Sequence, residues 1–307
     1  MSYEIPNNFL GLDSLHSDYA ASGVLVLPIP YEATVSYGGG TANGPTAIIS
    51  ASQQVELYDR EFEDEVALRW GVHTLPALEM EASAPDEAMA LIAAEVARLA
   101  RSGKLLGILG GEHSISGAVA QGLREVHGSF VTVQIDAHAD LRDEYEGTPH
   151  SHACAMHRVL DAGAGPVMQL GIRSLSADEA EMITSDERVF TFFSEDVHAG
   201  KHLKALREYV RGQAVYLTID IDGLDVSLVP ATGTPEPDGL SWNEALEIIR
   251  IVAEESAQVL AFDIMELAPI PGFHSADFVT AKLTYKTMSI LMAAREGANP
   301  DQAADEE

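Results

Sequence analysis

Cysteine is almost missing from this 307-residue chain: Cys154 is the only one, so no intrachain disulfide can form. A reducing compartment, the cytoplasm, is the expected setting. Basic residues are scarce too, with 18 Lys and Arg against 48 Asp and Glu and a formal net charge of −30. That balance excludes nucleic acid as a partner, because a phosphate backbone needs a basic footprint. No apolar run reaches the roughly 18–20 residues that a bilayer crossing takes, so no membrane association is expected. The N-terminus has neither a basic start nor a long apolar stretch, and no signal peptide is read there.

The acidic excess is spread along the chain, for example over 61–65 and 179–187. It suits a halophile's cytosol, where a Debye length of about 3 Å near 1 M salt removes self-repulsion. Steering of a cationic substrate is a second use of the same charge.

The chain has enough apolar residues, 46%, for a full core. Apolar, β-branched-rich segments lie at 23–29, 105–109, 130–135, 167–172, 189–193, 215–219 and 259–264. Helical spacing appears between them at 85–102, 176–185, 241–255 and 277–295. Ser241 with Glu244 three residues later forms a capping box at the start of the third. Strands that are apolar throughout suggest a sheet covered on both faces, and strands separated by helices suggest βαβ units. The expected fold is α/β, a three-layer α/β/α sandwich with a mainly parallel central sheet. No linker or repeat divides the chain, so residues 1–296 are read as one catalytic domain. The small, polar, acidic tail 297–307 is read as disordered.

Three short segments carry the chemistry. Residues 110–114 read Gly-Gly-Glu-His-Ser, 136–140 read Asp-Ala-His-Ala-Asp, and 220–222 read Asp-Ile-Asp. Each follows a predicted strand, and ligands of open α/β sheets bind beyond the carboxyl ends of strands. Together they offer His113, Asp136, His138, Asp140, Asp220 and Asp222. Residues two apart on an extended chain share a face about 7 Å apart, too far for one metal to use every group but suited to two metals sharing carboxylates. Four carboxylates balance two divalent cations. Carboxylate with imidazole favours Mn(II), whereas Zn takes fewer ligands and often cysteine. His16, His73, His127, His198 and His202 lack ligand spacing.

These segments resemble the ureohydrolase family, which contains arginase and agmatinase. The likeness extends through Pro30–Tyr37 with Gly40, Gly44 and Pro45, through Ser151-His152-Ala153-Cys154 and Gly171-Ile172-Arg173-Ser174, and on to Thr232-Gly233-Thr234-Pro235-Glu236-Pro237 and Asp263-Ile264-Met265-Glu266. The subfamily looks like agmatinase: 141–147, Leu-Arg-Asp-Glu-Tyr-Glu-Gly, lacks the Asn- and Ser/Thr-rich loop with which arginases hold the substrate's α-amino and carboxylate groups.

The resemblance implies an arginase-like fold, two Mn(2+) per subunit, a homo-trimer or homo-hexamer, and hydrolysis of a small cationic guanidino substrate, agmatine, to putrescine and urea. It implies one metal on His113, Asp136, Asp140 and Asp220 and the other on His138, Asp136, Asp220 and Asp222. Glu266 would receive the guanidinium, and a bidentate carboxylate matches that planar cation. Asp140 would move the nucleophile's proton. His152 matches the family's proton-shuttle position, with His150 and His157 close by, and histidine's ordinary titration range suits that task. The Gly-rich stretch 37–45 lacks the ending of a phosphate loop and reads as pocket-forming, with Glu32 or nearby carbonyls facing the substrate's far amine. Cys154 reads as a small buried hydrophobe. Other readings stay open: a guanidinobutyrase, arginase or formimidoglutamase, a single-metal amidohydrolase, or an inactive binding subunit.

Overall fold

The computed structural model describes residues 7–80 and 84–298. Its eight strands are β1 Val24–Ile29, β2 Val72–Thr74, β3 Leu105–Gly110, β4 Val131–Ile135, β5 Val167–Ile172, β6 Val189–Phe193, β7 Ala214–Asp220 and β8 Gln258–Met265. They form one sheet in the order β2-β1-β3-β8-β7-β4-β5-β6. Every pairing is parallel, so the sheet is wholly rather than mainly parallel.

The helices are α1 Gly44–Ser52, α2 Val66–Trp70, α3 Pro85–Ala100, α4 Ser116–His127, α5 Ala155–Asp161, α6 Ala177–Ser185, α7 Ser194–His198, α8 His202–Val210, α9 Trp242–Glu255 and α10 Ser275–Ala298. Two apolar cores flank the sheet. Val24 and Val26 of β1 pack into one with Ile48 of α1, Ile249 of α9 and Leu291 of α10. Leu25, Leu27 and Ile29 pack into the other with Ile92 of α3, Val119 of α4 and Val159 of α5. This two-sided burial is why the strands are apolar at consecutive positions rather than alternating. Three layers result, as the sequence led one to expect.

The structure departs from sequence expectation at short elements. The three-residue edge strand β2 and helices α1, α2, α4, α5, α7 and α8 had no clear signal. Helix α4 follows directly from a 3-10 turn, has no side-chain N-cap, and carries many small residues on its buried face. Both helices expected near 176 and 241 have complete capping boxes, Ser176 with Glu179 and Ser241 with Glu244. Helix α10 runs to Ala298, two residues into the segment read as a disordered tail. Residues 299–307 lie outside the described residues. Part of the acidic run at 61–65 is also tied down rather than simply solvated. Glu61 pairs with Arg250 at 2.8 Å and with Lys286 at 2.7 Å, and Lys286 also reaches Asp59 at 2.7 Å.

Candidate metal centre

Strands β3, β8, β7 and β4 are neighbours, so their carboxyl ends bring four loops to one place. His113 opens the turn after β3, while Asp136, His138 and Asp140 line the loop after β4. Asp220 ends β7, Asp222 sits in the turn that follows, and Glu266 comes directly after β8. Close backbone approach makes this possible. A Cβ on Gly111 would lie 2.0 Å from the Tyr31 carbonyl oxygen, so only glycine lets the segment before His113 pass beneath that loop. Asp140 and Glu266 both adopt left-handed backbone, with φ 53 and 64. That conformation is costly for residues with a side chain and is met chiefly where a site over-determines it.

All six metal-type residues predicted from the sequence meet. His113 Nδ1 lies 3.1 Å from Asp136, 3.2 Å from Asp140 and 3.2 Å from Asp220. His138 Nδ1 lies 2.9 Å from Asp222 and 3.8 Å from Asp136. Two ligand-type groups result: His113 with Asp136 and Asp140, and Asp136 with His138 and Asp222. Asp136 is common to both. Asp220 joins through His113 and accepts the Asp222 backbone N–H at 2.9 Å.

So many buried ionisable groups perturb one another. Burial pushes the Asp136 carboxyl up to about 7, reinforced by Asp222 and Asp140. Burial beside Asp222 and Asp136 likewise drives Asp220 well above the carboxylate range. Burial opposes charge on His113, yet the surrounding carboxylates of Asp136, Asp140 and Asp220 hold that ring far above an ordinary histidine. For His138 the same opposition ends at about 11, through Asp222. Burial would raise Asp222, but His138 and the Ala137 N–H bring it down to about 2. The cluster therefore demands positive charge, which protons supply in the bare protein.

The donor set fits metal ions. His113 Nδ1 is buried with no hydrogen-bond partner among the described residues, although three carboxylates surround it. A ring nitrogen ringed by carboxylate oxygens, with no aligned hydrogen bond, is what a divalent cation in place of the proton would satisfy. The two groups sharing Asp136 fit two ions.

A cavity of about 180 Å³ opens above the cluster, lined by His138, Asp140, Asp220 and Asp222 together with His152 and Glu266. Glu266 is 5% exposed, and its Oε1 accepts the His113 backbone N–H at 2.6 Å. Burial raises its carboxyl well above the usual range. His152 Nδ1 lies 3.9 Å from Glu266, and its Nε2 lies 3.2 Å from Ser36 Oγ. Its competitors are engaged elsewhere. His150 Nε2 contacts Asp86 at 2.6 Å, and His157 Nδ1 donates to the Leu141 carbonyl at 2.9 Å. A larger cavity of about 1190 Å³ opens at the opposite ends of the strands, beside Gly23, Lys104 and Val259. No ligand-type cluster lies there among the described residues.

Three residues around the site, Glu32, Glu112 and Arg173, do work that the sequence did not show. Glu32 does not face the cavity as a free carboxylate. Its Oε2 accepts from Gly40 N at 2.8 Å, Thr41 Oγ1 at 2.8 Å and Ala42 N at 2.9 Å, so it builds the loop. Glu112, given no role from sequence although it adjoins His113, is fully buried. It accepts from Ala33 N at 2.7 Å, Thr34 N at 2.7 Å and Thr34 Oγ1 at 2.8 Å. Thr34 Oγ1 then accepts the His152 N–H at 3.0 Å, which links the metal-type segment to the histidine. Arg173, noted only within a motif, donates to the carbonyls of Asp222 and Glu236 from Nη2, of Gly171 from Nη1 and of Pro237 from Nε. It fastens the 232–237 segment to the metal site. Cys154 is fully buried, and burial pushes its thiol up to about 11.

Comparison with known proteins agrees with this geometry. The N(1)-aminopropylagmatine ureohydrolase of Synechocystis is 38% identical over 289 residues, covering 92% of this chain and 93% of its own length. The agmatinase of Halalkalibacterium halodurans is 32% identical, covering 82% of this chain and 86% of its own. The crystal structure of the Thermoplasma volcanium agmatine ureohydrolase superposes with a TM-score of 0.80 at 27% identity, over 96% of each chain. The arginase-family profile matches residues 22–290. This chain is an agmatinase-like ureohydrolase, a hydrolase of C–N bonds in amidines, and belongs to the arginase family.

Proposed function

We propose that this enzyme uses two manganese ions to hydrolyse the guanidinium end of an agmatine-type amine, releasing urea. The observation that carries the reading is the pair of metal-ligand groups sharing Asp136, with Glu266 opening into the same cavity. His113, Asp136, Asp140 and Asp220 would hold one ion, and His138, Asp136, Asp220 and Asp222 the other. Bound there, the ions would supply the Lewis acidity that makes water nucleophilic near neutral pH, where its free pKa is about 15.7.

The remaining work falls to side chains. Glu266 pairs with the guanidinium and holds its carbon against the ligand cluster. Asp140 takes the proton released by the attacking water and passes it to the leaving amine. His152, in the cavity lining beside Ser36, carries the water's second proton to the same nitrogen as the C–N bond breaks. Urea and a protonated amine then leave through the mouth.

The similarity favours N(1)-aminopropylagmatine over agmatine as the preferred substrate, since the 38% relative carries that name and the agmatinase cited above is 32% identical. With agmatine the product is putrescine, and with N(1)-aminopropylagmatine it is the aminopropyl-extended amine. A trimer or hexamer is proposed for the assembly.

Manganese-loaded protein should release urea from both compounds, faster from N(1)-aminopropylagmatine, and little from arginine or 4-guanidinobutyrate. Urea from arginine alone, or from no guanidine with two ions bound, would refute the reading.

A further inference from the structure

Polar side chains form a row across the middle of the otherwise apolar sheet. Thr191 of β6 pairs in register with Gln169 of β5, Gln169 with Gln134 of β4, Gln134 with Thr218 of β7, and Thr218 with Asp263 of β8. Five neighbouring strands thus carry a polar residue at one level. Gln169, Gln134, Thr218 and Asp263 are all 0% exposed. The row lies two residues before Asp136 and Asp220, and residues two apart on a strand point to the same face. It is the layer directly beneath the metal centre.

The row has two halves, each ending on a metal-type ligand. Thr191 Oγ1 donates to Gln169 Oε1 at 2.8 Å, Gln169 Nε2 to Gln134 Oε1 at 2.7 Å, and Gln134 Nε2 to Asp136 Oδ2 at 2.7 Å. On the other side His113 Nε2 lies 2.9 Å from Thr218 Oγ1, and Thr218 stands in register beside Asp263 of β8. Asp263 is itself fixed by the hydroxyls of Tyr216 and Ser116 and by Ile219 N–H.

Direction matters in the second half. His113 Nδ1 faces Asp136, Asp140 and Asp220, so an ion bound on that side would leave the ring's proton on Nε2, where Thr218 Oγ1 is placed to accept it. Burying polar groups is costly, and an apolar layer of similar volume would serve stability as well or better.

We propose that this row is a positioning layer for the metal centre. Thr218, beside Asp263 in the next strand, sets the tautomer and aim of His113, while Thr191, Gln169 and Gln134 hold Asp136, the residue common to both ligand groups. The proposal rests on the reading that the cluster binds two ions. Neither Thr218 nor Gln134 touches an ion or the substrate in this scheme.

The test is calorimetric titration of metal-free protein with manganese chloride, with bound manganese counted by electron paramagnetic resonance. Thr218→Val keeps the shape and removes the hydroxyl. It should weaken one ion about 10- to 100-fold, the range for loss of a partner behind a ligand, and largely spare the other. Thr218→Ser should restore binding. Gln134→Met should weaken both ions, because Asp136 serves both groups. Unchanged isotherms for Thr218→Val would overturn the proposal, as would Thr218→Ser failing as badly as Val, since lost packing would then be the cause. Metal-free melting curves like the wild type's would show that the fold is intact. Wild-type protein that binds no manganese would instead sink the underlying two-ion reading, and the row's role with it.

Discussion

Replacing Glu266 by Gln keeps the shape of the side chain and removes one charge. The site makes this an informative exchange. The carboxylate is 5% exposed, and its Oε1 accepts the His113 N–H at 2.6 Å. A Gln amide oxygen can accept that same bond, so the His113 loop should stay in place. The left-handed backbone, φ 64, strains Gln no more than Glu. What disappears is the charged, bidentate partner for a guanidinium. Truncating one member of a buried, hydrogen-bonded charge pair costs about 2–5 kcal/mol. At 1.36 kcal/mol per factor of ten, kcat/KM should fall roughly 30- to 5,000-fold. Urea release under manganese saturation measures the loss, and bound metal measured on the same samples should remain at the wild-type level. A loss under about threefold with both ions in place would refute the role given to Glu266. If the ions were lost as well, its part would be to hold His113 rather than substrate. Glu266→Ala is the poorer test because it removes the acceptor for His113 too.

Three further outcomes follow from the site and the surface. His152→Ala should lower kcat about 100-fold or more while His150→Ala leaves it near wild type, because His152 lines the cavity and His150 contacts Asp86; equal losses in steady-state assays would reject the assignment. Metal-free protein should lose stability as pH rises. Asp136 titrates near 7 when folded and near 3.8 unfolded, so its contribution falls between about 4 and 7. His138, near 11 when folded, loses its contribution above 6.5, and Asp222, lowered to about 2, has already gained its own below 3.8. Manganese should reverse the trend, since its ligands bind deprotonated. Melting temperatures across pH 4–9 with and without manganese decide, and a metal-free protein steadier at pH 8 than at pH 5 counts against this electrostatic account. The net charge of −30 should make the melting temperature rise with KCl from about 0.1 to 3 M; no change over that range would count against salt adaptation.

How much was legible depended on whether a signal was local. The six metal-type residues stood out because each segment follows an apolar strand and carries its polar groups one or two positions apart. Strand identity was readable because burial on both faces makes most positions apolar, as at 24–29. Short elements failed for the complementary reason: β2 has three residues, too few for a pattern, and α4 hides its start in a turn. The reading of Glu32 failed because a carboxylate near a pocket looks the same in sequence whether it meets ligand or backbone N–H. Glu61 looked like surface charge because its partners, Arg250 and Lys286, are far along the chain.

The polar row shows the limit most clearly. Thr191, Gln169, Gln134, Thr218 and Asp263 are single polar residues inside five separate strands, and each alone looks like a flaw in an apolar run. Only strand order and register make them one layer, and neither follows from local pattern. The same logic applies to Asp140 and Glu266, whose left-handed backbone breaks a local rule at the rim of the cavity. Places where a chain violates its own preferences tend to mark function, because nothing in stability alone would retain them. In this chain several of those violations meet at one place: the row lies beneath the ligands, Asp140 is one of the ligand-type residues and Glu266 lines the cavity beside it, whereas Leu10, Glu63, Glu146 and Asp238 share that backbone outside the cavity lining.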